Sequence, residues 1–298
     1  MGQVKNSLAK KENGTPTFAQ YVKNSKVVSS IYKTLGSEMR GKKFVTSIIS
    51  AVNSNPELQT CDFATTVSAG LIGESLNLSP SPQLGHYYMV PFNDRKNNRR
   101  VATFQLGYKG YIQLAIRSGQ YKRINVVSVK EGELINYDPF NEEIEVTPIQ
   151  DEREREQAET IGYYAMFELV NGFRKTMYWS KEKMEEHAMK YSQGYRAKKG
   201  YTFWEKDFDG MAYKTMLRQL ISKWGIMSIE MQNAYENDMS YKESEEQAPV
   251  YFDTEKVVET EVNEVPNETP KHHQQDVTEP QFDPDRQAEP VMNNESLV

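Results

Sequence analysis

The sequence contains a single cysteine, Cys61, among 298 residues. That count excludes a disulfide framework and a zinc site built from cysteines. The four histidines, His86, His187, His272 and His273, are too scattered to indicate a metal centre, so we expect no cofactor. No run of about 18 apolar residues occurs, which excludes a membrane-spanning helix. The N-terminus lacks the apolar core of a signal peptide, so we expect a cytoplasmic protein with no membrane partner.

The net charge of −6 is unevenly distributed along the chain. Residues 1–130 contain 18 basic and 6 acidic residues, whereas residues 242–298 contain 4 basic and 15 acidic ones. A basic body with an acidic tail is typical of proteins that bind polyanions. The acidic segment also contains six prolines and few apolar residues. We expect it to be disordered, because it cannot bury enough surface to fold alone.

Hydrophobic periodicity divides the rest of the chain into a helical front and a mixed region. Apolar positions recur at helical spacing through the first 80 residues, and Asp62 is expected to cap the third helix. Strand-like runs at 86–92 and 101–106, and the Asn171-Gly172 turn between two further runs, predict antiparallel hairpins. We therefore predict an α+β fold with a helical N-terminal part, a small antiparallel sheet with packed helices, and a disordered acidic tail. The expected divisions are a mobile arm at 1–15, one domain at 16–240 and the tail at 241–298.

The remaining elements are predicted from the same patterns. The helical spacing at the start of the chain continues without interruption from residue 16 to 35, which predicts one helix there. Residues 131–160 contain 11 acidic residues and two arginines, and their pattern is less regular than that of the neighbouring segments. Other helices are expected at 42–52, 108–118, 181–190, 210–224 and 228–237, and another strand at 121–129.

Three short patterns that could carry chemistry are better explained as structural features. Residues 36–43 resemble a phosphate-binding loop, but a lysine replaces the hydroxyl that would hold magnesium, and a helix rather than a strand precedes them. The Asp94-Arg95-Lys96 triplet has nuclease spacing, yet it lies in a polar turn without convergent carboxylates. Cys61 has no histidine near it in sequence. With no enzyme signature left, we expect a protein that acts by binding.

Basic residues alternate with aromatic residues in several parts of the chain. Proteins that bind single-stranded nucleic acid combine cations along the backbone with aromatic rings on which bases stack. No motif that reads base sequence is present, so the pattern favours recognition of the backbone. The clusters lie at 95–100, 108–111, 117–123, 173–175, 195–199 and 203–206.

Two longer segments resemble the RecT family of phage single-strand annealing proteins. They are LSPSPQLGHYYMVPF at 78–92 and FQLGYKGYIQLA at 104–115, which RSGQY follows at 117–121. The likeness extends over about residues 25–235. It implies a protein that binds single-stranded DNA and anneals complementary strands to duplex without ATP in phage homologous recombination. It also implies assembly into rings or helical filaments, and a phage 5′→3′ exonuclease and the host single-strand-binding protein as partners.

The segments that resemble the family supply the residues expected to form a basic groove for both strands. Annealing brings two polyanions together, so cations must offset the phosphate repulsion while base edges stay free to pair. The first choices, in the stretch that resembles the family, are Lys109, Tyr111, Arg117, Lys122 and Arg123. The second choices for binding DNA are Arg95, Lys96, Arg99 and Arg100 in the basic turn, and Lys198, Lys199 and Lys206 in a later loop.

Alternatives to this interpretation stay open on the sequence alone. The Gly-Tyr-Lys-Gly-Tyr segment at 107–111 could be a tight junction between a strand and a helix, since glycine permits close packing. The function could be that of a metal-dependent nuclease using Asp94, or of a passive single-strand coating protein such as an OB-fold binder. The helical first third argues against a pure β-barrel.

Overall fold

The computed structural model of the chain describes residues 16–200, 202–244 and 246–251. The predicted arm at 1–15 and residues 252–298 of the predicted tail lie outside the described residues. Among the described helices, none is long and apolar enough to cross a membrane. The helical front consists of α1 (Phe18–Val22), α2 (Ser25–Leu35), α3 (Glu38–Ser54), a 3₁₀ turn (Pro56–Thr60) and α4 (Phe63–Ser75).

Side-chain caps and glycine set the boundaries of these helices. Asp62 caps α4 as predicted, because its carboxylate accepts a hydrogen bond from the Ala64 N–H at 2.9 Å. The prediction of one helix from 16 to 35 was wrong, since the Asn24 side chain accepts from the Lys26 N–H and starts a new helix. Gly36, at a φ of 63°, ends α2, a conformation that glycine adopts without strain. Gly41 lies inside α3 and contacts the Tyr32 ring, so residues 36–43 do not form a phosphate-binding loop.

Both strands and helices occur from residue 87 onward. In chain order the elements are β1 (Tyr87–Asp94), β2 (Arg99–Leu106), α5 (Tyr108–Arg117), β3 (Tyr121–Lys130), β4 (Leu134–Asp138), β5 (Glu143–Val146), α6 (Glu152–Gln157), β6 (Thr160–Leu169), β7 (Arg174–Ser180), α7 (Lys181–Tyr191), α8 (Gln193–Arg196), α9 (Phe203–Lys206), α10 (Phe208–Trp224), α11 (Ile229–Asn237), β8 (Ser240–Tyr241) and β9 (Val250–Tyr251).

All strand pairs are antiparallel, which confirms the predicted α+β class. The strand orders are β1-β2-β8-β9, β3-β6-β7 and β4-β5. The Asn171-Gly172 turn joins β6 to β7 as predicted, with Gly172 at a φ of 88°. The folded part extends further than the predicted boundary at residue 241, because β8 pairs with β9 and Tyr241 is buried.

The acidic segment at 131–160 is more regular than its sequence predicts. It forms the β4–β5 hairpin and α6, whose stabilising contacts join residues that are more than 20 positions apart. The Thr176 hydroxyl donates to the Glu142 carbonyl at 2.5 Å, and the Tyr137 and Tyr178 rings lie 5.1 Å apart between centroids. Arg155 of α6 forms an ion pair with Glu133 at 2.6 Å. Such tertiary contacts leave no periodic signal in the local sequence.

One hydrophobic core joins the helical front to the two larger sheets. The bulkiest side chains in it include Tyr87 and Phe104 from the first hairpin and Tyr163 and Phe167 from β6. α10 packs between the β3–β6–β7 sheet and α5, burying Met216, Leu217 and Leu220. This packing holds α5 against the core along one side and leaves its other side in solvent.

Cys61 belongs to this core rather than to a reactive site. It is buried, and burial raises the pKa of its thiol to about 11, which suppresses the nucleophilic thiolate. We expect native protein to react with an aromatic disulfide reagent far more slowly than protein in denaturant does. Release of chromophore can be followed in both conditions. Rapid labelling of the native protein would show that water reaches the thiol.

Candidate nucleic-acid interface

α5 presents a polar, basic side to solvent. Its inner side chains, including Leu114 and Ala115, are buried in the core. Residues three and four apart share one side of a helix, so Lys109, Gln113, Ile116 and Arg117 lie along the opposite side. Lys109 is exposed, and Ile116 is 54% exposed. We call these four residues the α5 stripe.

Two glycines bring α5 into direct contact with the segment that precedes β1. A Cβ at Gly107 would overlap the carbonyl oxygen of Gly85, and a Cβ at Gly110 would overlap that of His86. The Gly107 N–H donates to the same His86 carbonyl at 2.9 Å. The packing junction considered for residues 107–111 therefore accounts for both glycines. The side chain of Lys109, between them, passes beside Gly85 and is exposed to solvent.

The α5 stripe is electropositive. The pKa of His86 lies below its ordinary value because the ring is partly buried and because Arg117 and Lys109 place positive charge near it. The His86 Nδ1 accepts a hydrogen bond from the Ser79 N–H at 3.3 Å, which leaves Nε2 as the nitrogen that carries the proton. His86 thus adds a neutral N–H donor beside two cations.

Lys109 and Arg117 have no carboxylate partner within ion-pair distance among the residues that the structure describes. The Lys109 ammonium lies 5.9 Å from the centroid of the Tyr108 ring. Arg117 donates to the carbonyls of Leu76 and Asn77 at 2.7 and 3.4 Å, so it also caps the end of α4. Since carbonyls do not neutralise a guanidinium, both charges stay available to an anion.

The start of α5 adds backbone donors. Gly107 provides no side-chain cap, and the first turn of any helix leaves N–H groups without an intrahelical acceptor. The partial positive charge at a helix N-terminus favours phosphate. Lys109 lies on this first turn, so it adds a side-chain cation to the positive end of the helix.

Aromatic side chains border the same end of α5. The rings of Tyr88 and Phe203 lie 5.6 Å apart between centroids, and Phe203 is 42% exposed. The Tyr88 hydroxyl and the Lys109 side chain both lie beside Gly85. Phe203 begins α9, which ends at Lys206. The structure therefore brings the short α9 helix next to the start of α5.

The loop before α9 is fixed by its own hydrogen bonds. The Glu205 carboxylate accepts from the N–H groups of Gly200 and Thr202 at 2.8 and 3.0 Å. Lys198 adopts a left-handed conformation with a φ of 48°. Lys198, Lys199 and Lys206 are all exposed. The predicted loop cations thus belong to the segment that carries Phe203.

Lys122 and Arg123 lie at a different place, at the edge of the β3–β6–β7 sheet. Lys122 forms an ion pair with Glu168 at 2.5 Å, and the Arg123 Nε lies 3.9 Å from the same carboxylate. The hydrogen bond from Lys122, together with the charges of Arg123 and Arg174, lowers the pKa of Glu168. These cations are therefore partly neutralised, unlike those of the α5 stripe.

The β1–β2 turn divides its four predicted cations into two pairs. Arg95 and Lys96 are exposed at the tip. Arg99 forms ion pairs with Asp62, Asp94 and Glu243, whose charges offset its own. Arg100 forms an ion pair with Glu57 at 2.9 Å and donates a hydrogen bond to the Thr60 hydroxyl.

Tyr111 requires a correction, because it is fully buried and offers no ring face to a base. Its hydroxyl accepts from Arg218 at 3.3 Å and donates to Asp238 at 3.4 Å. Tyr111 and Lys109 are two positions apart on α5 and so point in different directions. The aromatic rings near the start of α5 are instead those of Phe203 and Tyr88. The predicted DNA-binding residues include neither of them, although 203–206 is one of the basic-aromatic clusters.

The Asp94 carboxylate is engaged in structural contacts. It accepts from Asn97, Arg99 and the Tyr241 hydroxyl, and the hydrogen bond from Asn97 helps hold its pKa below the usual value. Within the described part of the chain, no group of three or more histidine, cysteine, aspartate or glutamate side chains is arranged to hold a metal ion. The turn interpretation of the Asp94-Arg95-Lys96 triplet accounts for these contacts.

Known proteins are similar to the part of the chain that contains the α5 stripe. Residues 42–251 match the model of the RecT family. The uncharacterized protein YqaK of Bacillus subtilis is 41% identical over 237 residues, which cover 78% of this chain and 77% of YqaK. Protein RecT of Escherichia coli is 29% identical over 229 residues, which cover 73% of this chain and 81% of RecT.

Proposed function

Because the chain belongs to the RecT family, whose general role is single-strand annealing in DNA recombination, we propose that it anneals complementary strands without ATP and that the α5 stripe holds the DNA. The family implies binding of single-stranded DNA and oligomerisation. We further propose a ring or helical filament whose basic groove holds both strands, a phage 5′→3′ exonuclease and host single-strand-binding protein as partners, and the bacterial cytoplasm as the place of action.

The observation that carries this proposal is the pair of uncompensated cations on α5. Lys109 and Arg117 lie eight residues apart, so they are about 12 Å from each other along the helix axis. Two phosphates of one extended strand, not adjacent to each other, can contact both in turn, with the His86 N–H and the start of α5 as further donors. Backbone contacts of this kind hold a strand without occupying the edges of its bases.

Aromatic rings complete the proposed mechanism. Stacking on the exposed Phe203 ring would stabilise any of the four bases, because every base has a π-face. Cations on α5 and at Lys206 would lower the repulsion between two strands, and the free base edges would test pairing. The step requires no bond cleavage. Residues 36 and 37 join α2 to α3 and residues 38–43 belong to α3, so this segment offers no cradle for a nucleoside triphosphate.

Annealing of two complementary fluorescent oligonucleotides, without ATP or metal, tests the function. We expect faster duplex formation, with strands of full length on a denaturing gel. Addition of Mg²⁺ in a parallel reaction makes the gel a test for nuclease activity. Shortened strands would favour the nuclease alternative. Binding accompanied by slower pairing would favour a coating protein.

Removal of the Lys109 charge should weaken binding of single strands uniformly across sequences. Each phosphate contact releases counterions, so K109A should reduce the slope of log affinity against log salt by about 0.7. Fluorescence anisotropy over a salt series measures both quantities. K33A removes an exposed lysine from α2 and is the matched control, for which we expect the wild-type slope. An unchanged slope for K109A would remove Lys109 from the interface.

A further inference from the structure

Several large apolar side chains are exposed around one end of the β3–β6–β7 sheet. Lys175 links two of the elements there, because its ammonium lies 3.6 Å from the centroid of the Trp224 ring and 2.5 Å from the Glu142 carboxylate. The Tyr121 hydroxyl donates to the Ile226 carbonyl at 2.8 Å, which brings the chain after α10 to the start of β3. We call the following six residues the apolar corner: Phe140, Val170, Phe173, Trp224, Ile226 and Ile229, which are between 42% and 94% exposed.

Phe140 is the most exposed of these side chains, at 94%. It lies in the turn of the β4–β5 hairpin, which the Asp138 carboxylate holds by accepting from the N–H groups of Phe140 and Asn141 at 2.8 and 3.3 Å. The hairpin is in turn attached to β7 through Thr176. An exposed aromatic ring on such a fixed turn can bind a partner with little loss of conformational entropy.

Charges of opposite sign border the apolar corner. Glu143 and Glu145 are exposed on the β4–β5 hairpin. Arg123 and Arg174 are exposed on the sheet, where they face each other across Glu168 of the central strand. A single-stranded DNA molecule would meet both signs of charge here, whereas a protein surface with the reverse arrangement would match both. Exposed apolar patches with polar rims are typical of protein–protein contacts.

We propose that the apolar corner is a contact between copies of this chain, in which the acidic hairpin of one copy lies against the basic side of the corner of the next. One chain carries both halves of the charge pattern, so a second copy supplies the complement. This inference rests on the proposed function, in which the protein acts as an oligomer, and it names the surface that joins the protomers.

Charge reversal on each side gives the test. One variant carries E143K and E145K, and the other carries R123E and R174E. Either variant alone would place like charges against each other, so we expect self-association without DNA to weaken by about tenfold or more. Sedimentation velocity over a concentration series measures this effect. An equimolar mixture of the two variants restores both attractive contacts, so we expect the mixture to assemble like wild type.

The control variant carries E152K and E156K, which make the same charge change on the exposed surface of α6. We expect it to assemble like wild type, and circular dichroism checks that every variant is folded. F140S removes one aromatic ring from the apolar corner without a charge change, and it should also weaken association. Wild-type assembly by both reversed variants, or no recovery in their mixture, would overturn the proposal.

Binding of a fluorescent single strand separates this proposal from the proposed function. If wild type assembles but does not bind the strand, the annealing function fails while the contact between copies stands. If R123E/R174E lowers strand binding and leaves sedimentation unchanged, DNA rather than a second copy occupies the corner, and the contact is refuted. We expect E143K/E145K to retain strand binding at protein concentrations where it is monomeric.

Discussion

Replacement of Asp238 by alanine should lower the free energy of unfolding by about 3–5 kcal/mol, the usual cost of leaving buried charges without a partner. The Asp238 side chain is fully buried and accepts from Lys214 at 2.9 Å and from Arg218 at 2.6 Å. It also accepts from the Leu106 N–H at 2.9 Å. One carboxylate therefore connects α10 to the end of β2.

The loss of that carboxylate leaves Lys214 in an unfavourable position. Burial already lowers the pKa of Lys214, and the negative charge of Asp238 opposes this effect. In D238A the ammonium must either lose its proton or draw water into the core, and both cost free energy. The Arg218 guanidinium is less affected, because it is partly exposed and lies 4.0 Å from the centroid of the Tyr235 ring.

Urea unfolding followed by circular dichroism measures the effect of D238A. Glu236, two residues earlier, has an exposed side chain, so E236A is the matched control and should change stability by no more than about 0.5 kcal/mol. If D238A lowers the free energy of unfolding by less than about 1 kcal/mol, water solvates Lys214 and Arg218 in the variant and the network contributes little to stability.

A methyl group at Gly110 should disturb the site more than its size suggests. Helix propensity alone predicts that G110A gains about 1 kcal/mol of stability. The new Cβ would overlap the His86 carbonyl oxygen, and since this atom belongs to the backbone it cannot turn aside. We therefore expect a net loss of about 1–3 kcal/mol, as for other overpacked sites.

The same substitution should also slow annealing. Relief of the overlap requires α5 to move away from His86, which changes the spacing between Lys109 and the neighbouring donors. Q113A leaves the junction intact and is the control on the same helix. Thermal unfolding and the annealing rate are measured for both variants. A more stable G110A with wild-type annealing would show that the junction is loose.

Features that depend on local sequence could be predicted. The Asp62 cap and the Asn171-Gly172 hairpin follow from the chemistry of single residues within a few positions of each other. The position of α5 follows from its apolar spacing, and the outward direction of Lys109 follows from helix geometry. The exposure of Lys109 could therefore be expected before the fold was known.

Features that depend on distant residues could not be predicted. Tyr111 is an aromatic residue close to cations in the sequence, as a residue that stacks on bases would be. Its contacts with Arg218 and Asp238, more than 100 positions away, make it part of the core instead. The ion pair of Lys122 with Glu168 similarly depends on the pairing of β3 with β6. Composition identifies cations, whereas only the tertiary arrangement shows which of them are already neutralised.

We propose that unneutralised cations beside α5 hold the strands during annealing. The most direct test is the annealing rate of a K109A/K206A variant without ATP, at a salt concentration where wild type is active. Since each lost phosphate contact weakens strand binding, we expect annealing to slow by about tenfold or more while K33A behaves as wild type. Wild-type annealing by K109A/K206A would contradict the assignment of DNA to this surface.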